Sequence, residues 1–425
     1  MSDAMSRLSP EEQFILTLYA RTSSLARTQD SASPPDGWKL LKVLKTNKLL
    51  RRTAFECKVN NKCPGSDDEF LVSRFNRFLL LWEREKRIYL DALADLNASF
   101  GDEGIESCVL KGLSLGLPDI PRDVGDLDIL IRETDLLKAI DIMTAKGYVY
   151  VGDRRKAFLK RAENGGNFSA LMKWSNQYEF LDEKTGLLVE LHTNFFERKR
   201  VYHFDMDPLW HSVDAVFCRK LASDRLGCNV LCTEDRLWLL AMHAGIRGTQ
   251  TRGMFIFRHY LDMAELIRNN TVDWDALYRH GDSTDTLGFM YFTFTMLALF
   301  FPDAMDRSFL KRLKNGLSRG KITLHDIQLR CFRSMTSFNK FYVLLYKIML
   351  PFCYNGSAWE RLLSVLIIPR AVRERAHLAN MYGIDPRMWY VPFLYLWEPC
   401  RIFGSCLRRF ARLFVPDGEN GKSDA

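Results

Sequence analysis

The sequence predicts an α+β fold, in which a small mixed β-sheet is flanked by N-terminal and C-terminal helical regions. Three observations lead there. Residues up to about 100, and again from 233, carry apolar side chains at helical spacing. Between about 104 and 230, short apolar or alternating runs are separated by turn-forming residues, as strands are. A content of 47% hydrophobic and 26% charged residues is that of a globular chain able to bury a core, which excludes wholly disordered or fibrous classes.

Residues 10 to 30 read as a helix, with Pro10 near its start and Glu11 and Glu12 in its first turn. A polar break from Ser31 to Gly37 follows, and Trp38 to Phe55 is again apolar at helical spacing. After a polar loop, Glu69 to Phe100 reads as one long helix. The character changes at Gly101. Cys108-Val109-Leu110 is a strand ended by Gly112, and Asp126 to Ile131 alternates and then becomes wholly apolar, as a strand entering a core should. Asp135 to Lys146 is a helix stopped by Gly147, after which Tyr148 to Val151 is extended. Gln177 to Leu181 and Leu187 to His192 flank the turn Asp182 to Gly186 and form a hairpin. Helix returns at Thr233, a candidate N-cap, and continues to about residue 350. The chain thus divides into a helical region 1–100, an α/β core 101–230, a helical domain 231–350, an aromatic and basic region 351–415, and a disordered tail 416–425.

The net charge of +8 comes from 60 basic and 52 acidic residues, a mild excess that suits nucleotides, acidic polymers or an anionic membrane surface without choosing among them. No nucleic-acid recognition module is evident. Ten cysteines with no CxxC pair read as reduced thiols of a cytoplasmic protein rather than a zinc site. The amino terminus lacks an apolar signal core. The longest apolar stretches, Phe289 to Phe301 and Met388 to Trp397, fall short of the ~20 residues that span a bilayer. Residues 400–414 alternate Arg401, Arg408, Arg409 and Arg412 with Phe403, Leu407, Phe410 and Phe414. That pattern fits a terminal helix docked on its own domain, with peripheral membrane contact as the alternative.

Asp126 and Asp128 carry the sharpest chemical signal. Residues two apart on a strand share a face, so both carboxylates project side by side, where they repel unless a cation lies between them. Oxygen pairs of this kind suit Mg²⁺ shared with phosphates, with Mn²⁺ as an alternative. Glu190, an acid inside the apolar run Val189-Glu190-Leu191-His192, is placed to be the third carboxylate of an in-line phosphoryl or nucleotidyl displacement. His192 shares its face and could orient a ligand. Upstream, Gly112 lets backbone N–H groups approach a phosphate, Ser114 offers a hydroxyl, Lys111 supplies a cation, and Arg122 could reach phosphates or pair with the acids. His243 and Asp262 read as a buried His–Asp bond tying two helices.

Leu110-Lys111-Gly112, Arg122-x-x-x-Asp126-Leu127-Asp128-Ile129-Leu130-Ile131, Lys146-Gly147-Tyr148 and Val189-Glu190-Leu191-His192 together resemble a bacterial family of uncharacterised nucleotidyltransferases, placed in the polymerase-beta-type nucleotidyltransferase superfamily. The resemblance extends over nearly the whole chain. It implies a nucleotidyltransferase core in which Asp126, Asp128 and Glu190 bind Mg²⁺, and Gly112 and Ser114 hold a triphosphate. Leu113 stands where the superfamily usually has Ser or Gly after the glycine. The expected reaction moves a nucleoside monophosphate from a nucleoside triphosphate to a hydroxyl acceptor: a sugar or polysaccharide precursor, a small molecule or a protein. The alternative is a non-catalytic nucleotide-sensing or scaffold protein on the same fold.

Overall fold

The computed structural model describes residues 9–20, 36–60, 69–112, 125–151, 177–195, 226–250 and 257–331, together with positions 121, 216, 220–224, 342, 345, 346, 349, 350 and 353. Contacts between residues divide the chain into two compact units. One, of residues 1–152, 177–195 and 207–347, holds every helix and strand named below; the other comprises 153–176, 196–206 and 348–425.

Helix α1 (Pro10–Ala20) starts with a reciprocal capping box. The Glu12 N–H donates to Ser9 Oγ at 3.2 Å, and the Ser9 N–H donates to Glu12 Oε2 at 3.0 Å. Beyond Ala20, the rest of the expected 10–30 helix lies outside the described residues. The stretch read as apolar at helical spacing from Trp38 to Phe55 is two helices, α2 (Gly37–Thr46) and α3 (Leu50–Asn60). Asn47 makes the break. Its Nδ2 donates to Val43 O at 3.0 Å, its Oδ1 accepts from the Phe257 N–H at 3.1 Å, and Lys48 turns the chain through a φ of 53°. Apolar periodicity cannot show this, because Leu44 and Leu49 are both fully buried on either side of the turn. Helix α4 (Glu69–Asp102) is the long helix expected, and it buries Leu71, Phe75, Trp82, Tyr89, Leu93, Leu96 and Phe100 along one stripe.

The sheet has seven strands: β1 (Ser107–Val109), β2 (Leu127–Ile131), β3 (Tyr148–Tyr150), β4 (Gln177–Asp182), β5 (Leu187–His192), β6 (Leu221–Ser223) and β7 (Cys228–Val230). Their order is β3-β4-β5-β2-β1-β7-β6, with β2–β5 and β1–β7 parallel and the other neighbours antiparallel. Every residue of β2 is buried, as a central strand requires. Helix α5 (Leu136–Ala145) follows it, burying Leu136, Ala139, Ile140 and Met143, and ends where Gly147 takes a φ of 85°. The β4–β5 hairpin forms where expected. Asp182 ties its turn by accepting from the Lys184 N–H at 3.0 Å and Thr185 Oγ1 at 2.7 Å, and Gly186 supplies a φ of 75°.

Among the described residues of this unit, six further helices follow: α6 (Thr233–Gln250), α7 (Phe257–Asn269), α8 (Trp274–Ser283), α9 (Leu287–Phe300), α10 (Arg307–Asn315) and α11 (Arg319–Arg330). Thr233 is the first helical residue rather than the cap, since the Arg236 N–H already bonds Cys232 O. Helix α9 is apolar on nearly all sides because it is the centre of this layer, packed by α6, α7, α8, α10 and α11. Gly245 permits the close approach of α6: a Cβ there would stand 3.2 Å from Phe289 Cβ and Thr293 Oγ1. Among the described residues no helix is long and apolar enough to cross a membrane. Among the described residues, eleven α-helices and a seven-stranded mixed sheet make the fold α+β, as expected.

Candidate active site

The register of two parallel strands builds the centre of the site. Asp128 on β2 lies directly opposite Glu190 on β5, and His192 is two residues further along β5 on the same face. Asp128 is 1% exposed, Glu190 7% and His192 2%, so three ionisable side chains share a buried spot between apolar neighbours. One ligating atom from each lies within 4.8 Å of the others. His192 Nε2 donates to Asp128 Oδ1 at 2.9 Å and stands 3.2 Å from Glu190 Oε2. Lys111, two residues beyond the end of β1, brings its Nζ to 2.6 Å from Asp128 Oδ1.

This arrangement sets the protonation states. Burial pushes the Asp128 carboxyl up, but the Lys111 ammonium and the His192 hydrogen bond outweigh it and hold the group below the usual carboxylate range. Glu190 behaves alike, with burial overcome by the bond and charge of His192. Burial would neutralise His192, yet its bonds to Asp128 and Glu190 raise it to about 8. Asp126 is pushed up by burial and by the adjacent Asp128 charge, partly offset by Lys111. At neutral pH the centre therefore balances the Asp128 and Glu190 carboxylates against the Lys111 and His192 cations.

Asp128, Glu190 and His192 could hold a divalent cation. Two buried carboxylates and an imidazole are a recognised donor set, with the oxygens suiting Mg²⁺ and the imidazole favouring Mn²⁺ or another transition ion. Among the described residues the buried Nδ1 of His192 has no hydrogen-bond partner, and the ring is held there through its Nε2 edge, the edge that faces the acids.

Of the residues singled out from sequence, Lys111, Asp128, Glu190 and His192 come together. Asp126 lies just before β2, half-buried and outside the three-residue cluster, although it feels the charges of Asp128, Lys111, Glu190 and His192. Gly112 takes a φ of 65°, a backbone conformation that favours glycine. Ser114, Arg122 and the 400–414 segment lie outside the described residues. His243 lies ring to ring with His259, centroids 4.9 Å apart, and Asp262 is 4.0 Å from Arg258. A part-buried His–Asp bond joins two helices at Asp235 on α6 and His280 on α8, at 2.9 Å.

Two neighbours of the centre were not foreseen. Tyr89 on α4 stands in the field of Asp126 and Asp128; burial first, then those charges, push its hydroxyl up to about 12, so it remains a neutral donor. Only its place in the apolar stripe of α4 is visible in sequence, and that reads as core. The second neighbour is the pair Gln177 and Glu179 on β4. Glu179 lies opposite Glu190 and Gln177 opposite His192, with Gln177 Nε2 donating to Glu179 Oε1 at 3.0 Å. A signal existed here: once the hairpin turn is assigned, its register places both polar residues beside the acids.

Over residues 36–302 the chain matches a protein-family model described as uncharacterised nucleotidyltransferase. No curated protein and no solved structure matches it.

Proposed function

We propose, from the premise that this chain belongs to the family of uncharacterised nucleotidyltransferases, that it transfers a nucleoside monophosphate from a nucleoside triphosphate to a hydroxyl acceptor in a metal-dependent reaction in the cytoplasm. The observation that carries this reading is the in-register Asp128–Glu190 pair on adjacent parallel strands, faced by Lys111 from the end of β1. Asp128 and Glu190 would hold Mg²⁺ or Mn²⁺, assisted by Asp126 or His192. When bound, such an ion neutralises phosphate charge and polarises the transferring group.

The chain's own residues do the rest. Lys111 carries a mobile ammonium suited to a phosphate oxygen, and the left-handed turn at Gly112 would let the backbone approach the same cargo closely. Ser114 and Arg122 extend that grip in this reading. The acceptor hydroxyl oxygen attacks the α-phosphorus, the bond to the β-phosphate bridging oxygen breaks, and pyrophosphate leaves. Glu190, held ionised, takes the hydroxyl proton and passes it to solvent.

The test is a thermal-shift panel of ATP, GTP, CTP and UTP with Mg²⁺ or Mn²⁺, on wild type and Asp128→Asn. Specific binding to the folded state stabilises by about 2.7 kcal/mol at a hundredfold excess over Kd. A metal-dependent rise with at least one nucleotide, absent in the variant, is expected. No rise with any of the four, or an equal rise in Asp128→Asn, would sink the proposal.

A further inference from the structure

The site has a direction, and the sheet order sets it. Reading across the strands β1-β2-β5-β4, the polar residues of one face run from Lys111 beyond β1, through Asp128 on β2 and Glu190 on β5, to Glu179 on β4. Adjacent strands are about 4.8 Å apart, so Glu179 lies one strand beyond Glu190 and roughly 10 Å from Asp128. In the proposed reaction the triphosphate is held on the Lys111 and Gly112 side. In-line displacement requires the nucleophile to enter opposite the departing pyrophosphate. On this face, opposite means over β4.

The residues that β4 presents there are chemically specific. Gln177 lies across from His192 and Glu179 across from Glu190, and the bond from Gln177 Nε2 to Glu179 Oε1 at 3.0 Å fixes them as one unit. Both are half-buried. Among the described residues no cation pairs with Glu179. The Lys111 and His192 charges are already committed to Asp128 and Glu190. A carboxylate with no cation partner among the described residues, set beside an amide, accepts hydrogen bonds from hydroxyl or ammonium groups. It repels a phosphate or carboxylate.

We infer that Gln177 and Glu179 form the acceptor-recognising wall of the site, and that the acceptor is a hydroxyl compound uncharged or cationic beside its attacking oxygen, not a phosphorylated one. This rests on the nucleotidyl-transfer reading and deepens it. Glu179 acts through the acceptor alone and has no part in holding nucleotide or metal.

The experiment uses three compounds that share a 1,2-diol and differ at the third carbon: 3-amino-1,2-propanediol, glycerol and glycerol 3-phosphate. Saturation-transfer NMR on their mixture with the full chain in Mg²⁺ buffer reports which receives magnetisation from the protein. Wild type should favour the amine, then glycerol, over the phosphate. Glu179→Lys should weaken the amine and strengthen the phosphate about threefold each, so that their ratio moves roughly tenfold. Glu179→Gln, nearly isosteric and less prone to disturb the strand, should move it about half as far on a logarithmic scale. A ratio indifferent to both variants, equal signals from all three compounds, or signal from none overturns the assignment. The nucleotide-dependent thermal shift should persist in both variants. If it persists while the ratio stays put, the acceptor wall fails alone; if wild type shows no nucleotide shift, the transfer reading itself has failed.

Discussion

His192 makes the stability of the metal-free protein depend on pH in a window of its own. Its ring is 3% exposed and bonded to two carboxylates, which raise it from 6.5 to about 8 despite its burial. Because the folded value lies above the unfolded one, the folded protein binds more protons between those two pH values. The resulting stabilisation is complete below pH 6.5 and lost as pH rises through about 8. A difference of that size corresponds to roughly 2 kcal/mol. The perturbation is His192→Gln, which keeps an N–H donor for Asp128 and removes the titration. Urea unfolding in EDTA at pH 6 and pH 9 supplies the measurement. Wild type should lose about 2 kcal/mol more than the variant between these pH values. An identical pH response in the two proteins would refute the reasoning, since the loss would then belong to other groups.

His325 should act in the opposite direction and a lower window. It is fully buried on α11, with Nδ1 2.6 Å from Gln328 Oε1, and burial lowers it to about 4. As pH falls from 6.5 toward 4 the unfolded chain takes up a proton that the folded chain refuses, so stability drops by up to roughly 3 kcal/mol. Urea midpoints for His325→Gln should lack that part of the acid response, and an unaltered response would count against it. At Asn47, replacement by Ala should cost roughly 2 to 3 kcal/mol, because the buried Phe257 N–H loses its acceptor and Val43 O one of its donors. A change in urea midpoint equivalent to under about 0.5 kcal/mol would show that water or a backbone shift replaces the side chain.

How much of this was legible in sequence depended on whether the information was local. The strand bearing Asp128, the hairpin bearing Glu190 and the long helix from Glu69 follow from periodicity and turn residues, which act over a few positions. The break at Asn47 was not legible, because the partner that stabilises it, the Phe257 N–H, is 210 residues away. His192 illustrates a middle case. Its face was readable from β5 alone, but its position between two acids required the parallel pairing of β2 with β5. Parallel partners are joined by long connections, so no turn residue announces their register. Tyr89 was hidden for another reason: a tyrosine in an apolar helical stripe carries the same signal whether its hydroxyl meets solvent or an acid.

The buried charges themselves bear on whether this sheet serves catalysis or only scaffolding. Removing Asp128, Glu190, Lys111 and His192 from water costs several kcal/mol per ion, and well-packed apolar residues would serve the fold as well or better by about 1–4 kcal/mol. Their neighbours on the strands, Leu127, Ile129, Val189 and Leu191, are buried and apolar on the other face of the sheet, so these strands hold their core without any help from the ions. A scaffold would gain stability by losing them. The four groups also differ in mobility in a way that suits chemistry. Asp128, Glu190 and His192 are fixed by strand backbones, whereas Lys111 reaches Asp128 on a flexible four-carbon stem and keeps 19% of its side chain exposed. The fixed groups can define where an ion and an α-phosphorus must lie. In the proposed reaction the mobile one would offset the charge of ionised Asp128 until phosphate arrives, then exchange a carboxylate for a phosphate oxygen at little cost in charge.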